Sequence, residues 1–384
     1  VYRHLNGNNQ YVVDSLLPML DYRFKQSRVS GSFLFSKKVA KTSTLNFGFN
    51  SDLYFFQFND SVRNVDTGSP DYSRWRTRWD SRDQSLLLQP FVQLKHNLSG
   101  KTDFIVGLHS QYFSLSNSLV LVEPRGGFRW RINDKQSFNM GVGLHSQIQP
   151  TYLYFYGQTN DANGKPVSQN REMDFTRSIH YVSSYEIFLA PMIRLKGEIY
   201  YQHVFNVPVE KNSSSFSLVN TGAGFSRFFP SALVNTGIGK NYGVEVTLEK
   251  FFSRGYLFLI TGSLFESYYQ GSDHRWRDTD FNGNYILTAL FTKEWSLKGR
   301  NTFSIGGKVT TAGGRRYGPV DRVASDREKD VVFVDATRNS LQFAPYFRTD
   351  LRVNYKINRP KVSHEIAVDL VNIFGTKNVL KLTY

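Results

Sequence analysis

Arg74-Trp75-Arg76-Thr77-Arg78-Trp79 interleaves guanidinium groups with indole rings, and Tyr152-Leu153-Tyr154-Phe155-Tyr156 packs aromatic side chains almost without interruption. Guanidinium forks take up carboxylates or phosphates through paired hydrogen bonds, and aromatic faces stack on sugar rings, peptides or anionic chelates. Such residues suit recognition of a ligand rather than bond-making. Together with Trp276, the candidate ligand contacts are Arg74, Trp75, Arg76, Arg78, Trp79, Tyr152, Tyr154 and Tyr156. The competing reading is that these side chains pack loop on loop or touch lipopolysaccharide.

Other chemistry finds less support. Asp278-Thr279-Asp280-Phe281-Asn282-Gly283 matches the first half of a calcium loop, but the position for the closing bidentate Glu holds Ala289, and no helix pattern flanks it. It reads better as a loop leading into a strand. The histidines are scattered; His109 and His145 fall on inward faces of different hairpins, so no metal site follows from spacing. No G-x-S-x-G, H-E-x-x-H or phosphate-loop pattern occurs, and no carboxylates stand out as an acid and base couple. With no cysteine in 384 residues, disulfides and Cys-based metal or redox centres are excluded. The expectation is a protein without catalytic residues, metal or cofactor. A net charge of +15 invites a nucleic-acid partner. Yet Lys and Arg are spread over strand ends and loops, with no basic helix and no nucleic-acid motif, so an anionic lipid surface or an acidic partner explains the charge better.

The elements that must position these residues are strands. Over 240–252, Tyr242, Val244, Val246 and Leu248 alternate with Gly243, Glu245, Thr247 and Glu249, giving one apolar and one charged face. A turn at Ser253-Arg254-Gly255 leads to a return arm through 256–269. Each arm is about 13 residues, roughly twice the usual soluble strand and long enough to cross a bilayer at a tilt. Similar hairpins recur at 27–39 with 42–58, 84–98 with 102–115, 118–132 with 136–149, 177–189 with 192–205, 282–295 with 300–313, and 346–358 with 362–374. Residues 1–24 read as the end of a loop, with a turn at Asn6-Gly7; another turn falls at Asn163-Gly164 and one near Lys298-Gly299. The stretches 61–83, 150–176, 206–239, 270–281 and 314–345 read as long connections.

About fourteen strands thus form seven hairpins whose short turns all lie at one end, while five of the six connections between hairpins, at the other end, are long; the exception is 115–118. Aromatics gather near strand ends, as at Phe251, Phe252, Tyr256, Tyr268 and Tyr269, where a bilayer interface would hold them. The pattern predicts an all-β, transmembrane antiparallel β-barrel. Inward-facing charges would include Glu245, Glu249, Arg348, Asp350, Arg352 and Asp369. As read, the last strand runs toward the long-loop end with nothing returning, which would leave an unpaired edge in lipid.

Several segments, taken in order, resemble the barrel of TonB-dependent outer-membrane receptors, especially those with a carboxypeptidase-regulatory-like N-terminal domain. They are Glu123-Pro124-Arg125, Gly143-Leu144-His145-Ser146-Gln147, Tyr200-Tyr201-Gln202 through Asn206-Val207-Pro208-Val209, Asn241-Tyr242-Gly243-Val244-Glu245, Phe281-Asn282-Gly283-Asn284-Tyr285, Gly313-Gly314-Arg315-Arg316-Tyr317 and Asp369-Leu370-Val371-Asn372-Ile373-Phe374. The resemblance implies a barrel of roughly 22 strands filled by an N-terminal plug. Residues 1–384 would be part of that barrel, its eighth to twenty-first strands, with the plug and early strands lying outside this chain. It implies a location in the bacterial outer membrane and import of a nutrient such as a siderophore, oligosaccharide, peptide or vitamin. Implied partners are the plug, the TonB system, lipid, lipopolysaccharide and a surface lipoprotein. The inward charges would face plug and water. A passive porin-like channel and a soluble β-rich binding protein are the alternatives.

Overall fold

A computed structural model describes residues 18–64, 70–156, 168–221, 232–297, 299–328 and 330–384, together with the backbone of a two-stranded pairing between His4–Leu5 and Tyr11–Val12. The Asn6-Gly7 and Asn163-Gly164 turns and Lys298 lie outside the described residues.

Fourteen long strands, each antiparallel to the next in chain order, form a single sheet. They are β1 (Leu20–Ala40), β2 (Ser43–Arg63), β3 (Trp75–Asn97), β4 (Thr102–Phe113), β5 (Ser118–Asn133), β6 (Gln136–Gln147) and β7 (Thr176–Ala190). The series continues with β8 (Ile193–Glu210), β9 (Leu233–Ser253), β10 (Tyr256–Gln270), β11 (Tyr285–Leu297), β12 (Asn301–Ala312), β13 (Tyr346–Asn358) and β14 (Ser363–Leu370). A short strand, Trp276–Asp278, hangs on the end of β10. The two outermost strands, β1 and β14, each pair on one side only among the described residues.

Every expected hairpin is present, and its turn is short. At the β9–β10 turn Arg254 and Gly255 both take positive φ, of 52° and 74°. Glycine adopts that conformation freely, whereas Arg254 must be held in it. Lys250 closes the turn from behind, its Nζ donating to the carbonyls of Phe251, Ser253 and Tyr256 at 3.0–3.3 Å. The ammonium also lies 3.6 Å from the Tyr256 ring centroid.

The two faces follow the pleat. Val244 pairs with Leu264 and Leu248 with Ile260 on one face, while Asn241 pairs with Ser267 and Glu245 with Ser263 on the other. Leu264 is 68% exposed and Val244 48%, an arrangement water would penalise and hydrocarbon favours. The opposite face is polar across the sheet and carries the buried contacts of the loops.

Several boundaries differ from the sequence expectation at the long-loop end: the last strand stops at Leu370 instead of 374, β11 begins at Tyr285 instead of 282, and the expected loop 270–281 contains the short strand Trp276–Asp278. Residues 20–24 belong to β1, paired as Leu20 with Val62 and Phe24 with Phe58. The expected connection 61–83 shrinks, because β2 runs to Arg63 and pairs with Trp75 of β3. The expected loop 206–239 shrinks likewise, with Glu210 of β8 opposite Leu233 of β9. Beyond the lipid both faces of a strand meet water or loops, so the alternation that reveals a half-apolar strand fades there. The β8–β9 ladder also shifts register near Val207, where Asn206 has φ of 55° and Pro208 donates no hydrogen bond.

Candidate functional site

Trp79 and the aromatic run 152–156 meet on the inner face of the sheet, at its long-loop end. The loop between β6 and β7 forms a short 3-10 turn, Thr151–Phe155, and folds back toward β1, where Thr151 Oγ1 donates to Gln26 Oε1 at 2.6 Å. Phe155 packs on Phe56 and Phe58 of β2 at 5.3 and 5.4 Å between centroids, and Tyr154 on Phe113 of β4 at 5.4 Å. Trp79 of β3 stands between Phe24, Tyr152 and Tyr156, at 5.2, 6.4 and 4.9 Å. Leu153, Met173 and Phe175 complete a buried cluster. Mostly edge-on and tilted contacts hold these rings, the geometry the ring quadrupole favours.

Burial separates the candidates. Trp79 and Tyr154 are each only 1% exposed, Tyr152 and Tyr156 are half-buried at the edge of the plate, and Trp75 is 42% exposed. A register shift between Asp60 and Ser61 divides the two indoles: Trp79 pairs with Asp60 on the inner face and enters the plate, whereas Trp75 pairs with Arg63 on the opposite face, that of Phe55. Burial pushes the Tyr154 phenol up to about 12, and its oxygen accepts the Gln149 amide at 3.1 Å. Arg78 Nε donates to the fully buried carboxylate of Asp60 at 2.6 Å, so this arginine is tied to the wall.

Beside the plate, Arg63, Asn64, Asp71, Arg74, Trp75 and Arg76 line an open hollow of about 680 Å³. The Arg63 guanidinium lies 5.0 Å from the Trp75 ring centroid, and Arg74 pairs with Asp71 at 2.9 Å. Arg74 and Arg76 are exposed there. An anionic group of small-molecule size fits the chemistry of this hollow.

Further round the long-loop end, polar contacts replace rings. Arg277 grips Asp273 with both terminal nitrogens, at 2.9 and 2.5 Å, and these bonds hold the Asp273 carboxyl below its ordinary range. Both Asp335 oxygens accept the Ser215 amide, at 3.1 and 3.0 Å, and Asn339 Nδ2 donates to the Asp278 carbonyl and to Asp280 Oδ1 at 2.8 and 2.6 Å. The calcium-like stretch therefore sits in a knot joining three loops, where Asn282 Nδ2 occupies Asp278 Oδ1 at 2.5 Å. Trp276 lies apart from both assemblies. Its short strand sets it opposite Gln270, on the same face as Tyr268 and Lys240, whereas its neighbour Arg277 points to the buried side.

The expected inward charges share the polar face by register, and the wall itself pairs most of them. Arg194 bridges Glu186 and Glu249 at 3.2 and 2.6 Å, Arg348 pairs with Asp350 at 2.7 Å, and Arg352 with Asp369 at 3.3 Å. Glu245 has only a long contact from Ser263 Oγ, at 3.5 Å.

Sequence reasoning missed a belt of hydrogen bonds on this face. Gln89 donates to Gln111, which donates to the fully buried Glu123 at 3.0 Å; Glu123 also meets His109 at 2.5 Å, Arg125 at 2.9 Å and the Ser146 hydroxyl. The His145 and His180 rings lie 4.9 Å apart, and a further run links His180, Gln202, Asn241, Ser267 and Thr279 at 2.6–2.8 Å. The only sequence hints were the inward parity of His109 and His145 and the Glu123-Pro124-Arg125 segment, and neither gives the register that joins them.

A family model described as "TonB dependent receptor-like, beta-barrel" matches residues 1–373. No curated protein sequence matches the chain. Among solved structures, the FrpB iron transporter of Neisseria meningitidis aligns at TM-score 0.60 and 12% identity, over 91% of this chain and 51% of its own. The copper transporter OprC aligns at TM-score 0.61 and 12% identity, over 95% and 53%. A mutant of the ferric enterobactin receptor PfeA of Pseudomonas aeruginosa aligns at TM-score 0.58 and 13% identity, over 96% and 50%. The chain spans about half the length of these structures.

Proposed function

The chain belongs to the TonB-dependent receptor-like β-barrel family, and on that premise we propose that it walls part of an outer-membrane importer whose ligand is first held at the long-loop end. The apolar face meets lipid, the long loops face the medium and the short turns face the periplasm. Plug, TonB system and, at the surface, a lipoprotein partner complete the machine. The TonB-driven pull rearranges the plug and opens a path; no bond of the substrate is made or broken.

The observation that carries this reading is the convergence of Trp79 with 152–156. An aromatic plate on the inner side of the mouth adjoins an open hollow at the strand tips that bears Arg74 and Arg76, with Trp75 on its outer side. Such a surface suits a nutrient with flat or ring-shaped parts and an anionic group, as siderophores, acidic sugars and peptides have. Arg74, Arg76 and the half-buried Tyr152 and Tyr156 are assigned to ligand contact, with Trp75 beside them on the outer side of the hollow. Trp79 and Tyr154 support the plate, and Arg78 anchors it. The paired charges Glu249, Arg348, Asp350, Arg352 and Asp369 hold the wall and face the plug, with Glu245 beside them.

The test is uptake by cells carrying the full-length receptor, screened over siderophores, oligosaccharides, peptides and vitamins with and without TonB. Uptake of one class should require both receptor and TonB. Replacing Arg74 and Arg76 by Ala should raise its half-saturation concentration about 10-fold or more, since a charge-assisted hydrogen bond contributes about 1.5–3 kcal/mol. Steady conductance of the intact protein in a planar bilayer, or uptake indifferent to TonB, would overturn the importer reading.

A further inference from the structure

The short-turn end of the inner face carries a basic pocket to which the reading above gives no task. It has a volume of about 420 Å³, and its lining includes Lys101, Arg129, Arg131 and Lys135, the Phe188 ring, and the carboxylates Asp134 and Glu186. Register sets the strand side chains of the pocket inward: Arg131 stands opposite Ser137 and Ser137 opposite Glu186, while Trp130 and Tyr185, one residue off, are exposed on the lipid face. Along β5 the inner positions read Arg125, Gly127, Arg129 and Arg131, with successive ones about 7 Å apart.

These cations are engaged unequally. Arg125 pairs with Glu123 at 2.9 Å, Arg131 reaches Asp103 at 3.5 Å, and Lys101 Nζ donates to the Ile132 carbonyl at 3.3 Å. Glu186 is held by Arg194 at 3.2 Å. Arg129 and Lys135 are exposed, and among the described residues no carboxylate pairs with either. The aromatic wall is fixed, since Phe188 stacks on Phe251 at 6.5 Å and the Arg194 guanidinium lies 5.5 Å from the Phe251 centroid. Above the pocket Gly127 and Gly141 face each other, and a Cβ on either would approach nothing closer than 3.9 Å. At that level these two strands put no side chain into the lumen, so the way from the hydrogen-bond belt to the pocket is bare wall.

We propose that this pocket is a second anion site on the transport path, where phosphate or carboxylate groups of the nutrient are held on the periplasmic side after leaving the mouth, with Arg129 and Lys135 as direct contacts. Free cationic groups beside a fixed ring repeat, at the exit, the chemistry of the hollow at Arg74 and Arg76. The inference rests on the importer reading and narrows its substrate to a small molecule with more than one negative charge: four cations against two carboxylates, one of them already paired, leave charge for more than a single anionic group. A recess lined by one sign of charge raises the local concentration of its counter-ion and disfavours a cation. Guanidinium forks then fix phosphate or carboxylate oxygens through charge-assisted hydrogen bonds.

Full-length protein in mild detergent is titrated calorimetrically with pyrophosphate, a probe of two linked phosphates. Wild type should bind it at two sites, the mouth and the pocket. Arg129→Gln with Lys135→Gln should weaken one site about 10-fold or more, and Arg74→Ala with Arg76→Ala the other. Arg129→Lys with Lys135→Arg keeps the charge and should keep the site. Retained heat-modifiable migration on gels shows that each variant is folded. In cells, the Gln pair should lower the maximal TonB-dependent uptake rate of the nutrient found in the screen about 5-fold or more, with its half-saturation concentration changed by less than about 2-fold. Pyrophosphate binding unchanged by the Gln pair overturns the proposal, as does its absence from wild type, the outcome if the plug fills the pocket at rest. Binding lost with uptake unaltered marks an adventitious anion site only and overturns it as well, and so does an uncharged nutrient. Uptake indifferent to TonB in wild type overturns the importer reading itself, whereas TonB-dependent uptake with pyrophosphate binding untouched by the Gln pair overturns only the pocket.

Discussion

Trp79→Ala should release the loop at 151–156 from the sheet while leaving the wall standing. The indole is 1% exposed and touches the rings of Phe24, Tyr152 and Tyr156. Truncating a buried Trp costs about 3–5 kcal/mol, of which three ring pairs at about 0.5–1.5 kcal/mol each supply a large part. The backbone pairing of Trp79 with Asp60 does not depend on the side chain, so the loss falls on the docked loop. About 3 kcal/mol corresponds to a rise of roughly 100-fold in the open fraction of that loop. Hydrogen exchange reads this at Leu153 and Tyr156, whose amides bond to the carbonyls of Pro150 and Leu153 at 2.9 and 3.4 Å. Exchange there should accelerate by about two decades. Exchange in β2 and β3 below the plate should be unchanged. Trp75→Ala is the matched control, since that ring is 42% exposed and should move exchange at 151–156 by less than about 3-fold. Equal acceleration by both substitutions, or none by Trp79→Ala, would refute the assignment of Trp79 as the keystone of the plate.

Two further outcomes concern charge. The Asp273 carboxyl is held below its ordinary range by the Arg277 fork, so its share of loop order is present above the unfolded value of about 3.9 and is lost as pH falls through the lower folded one. Protease sensitivity of 271–284 on whole cells should therefore stay flat from neutral pH to about 4 and rise only below that; Asp273→Asn should be sensitive already at neutral pH, and an unaltered acid profile in that variant would rule out the fork. Arg194→Ala leaves Glu186 and Glu249 flanking an empty position, and it should lower the midpoint of heat-induced gel-mobility change as a loss of about 1–2 kcal/mol, between exposed and buried pairs, with Arg194→Lys recovering part of it. No change on Arg194→Ala would show that the pair contributes nothing to the wall.

How much of this protein its sequence determines depends on what surrounds each stretch. Where a strand separates lipid from water, the two faces need opposite side chains, and the alternation of Val244, Val246 and Leu248 with Glu245, Thr247 and Glu249 exposes the strand, its faces and its span. All fourteen strands, their short turns and the common face of the charges were legible for that reason. Past the headgroups the requirement lapses. The added lengths of β2, β3, β8 and β9 carry no such alternation, and only the continued ladder identifies them.

The candidate site was legible in residue type and not in arrangement. Arginines among tryptophans and a run of tyrosines announce recognition, but one register shift sent Trp79 inward and set Trp75 on the opposite face. The pairing of Trp276 with Gln270 carried that ring to the outer face, away from the mouth. The belt from Gln89 through Glu123 to Thr279 required neighbouring strands to bring single polar residues, far apart in sequence, to bonding distance. Lipid and water act on each strand locally, so the sequence alone determined the wall; register and loop docking are long-range choices among many near-equal pairings, and the tertiary structure decided those.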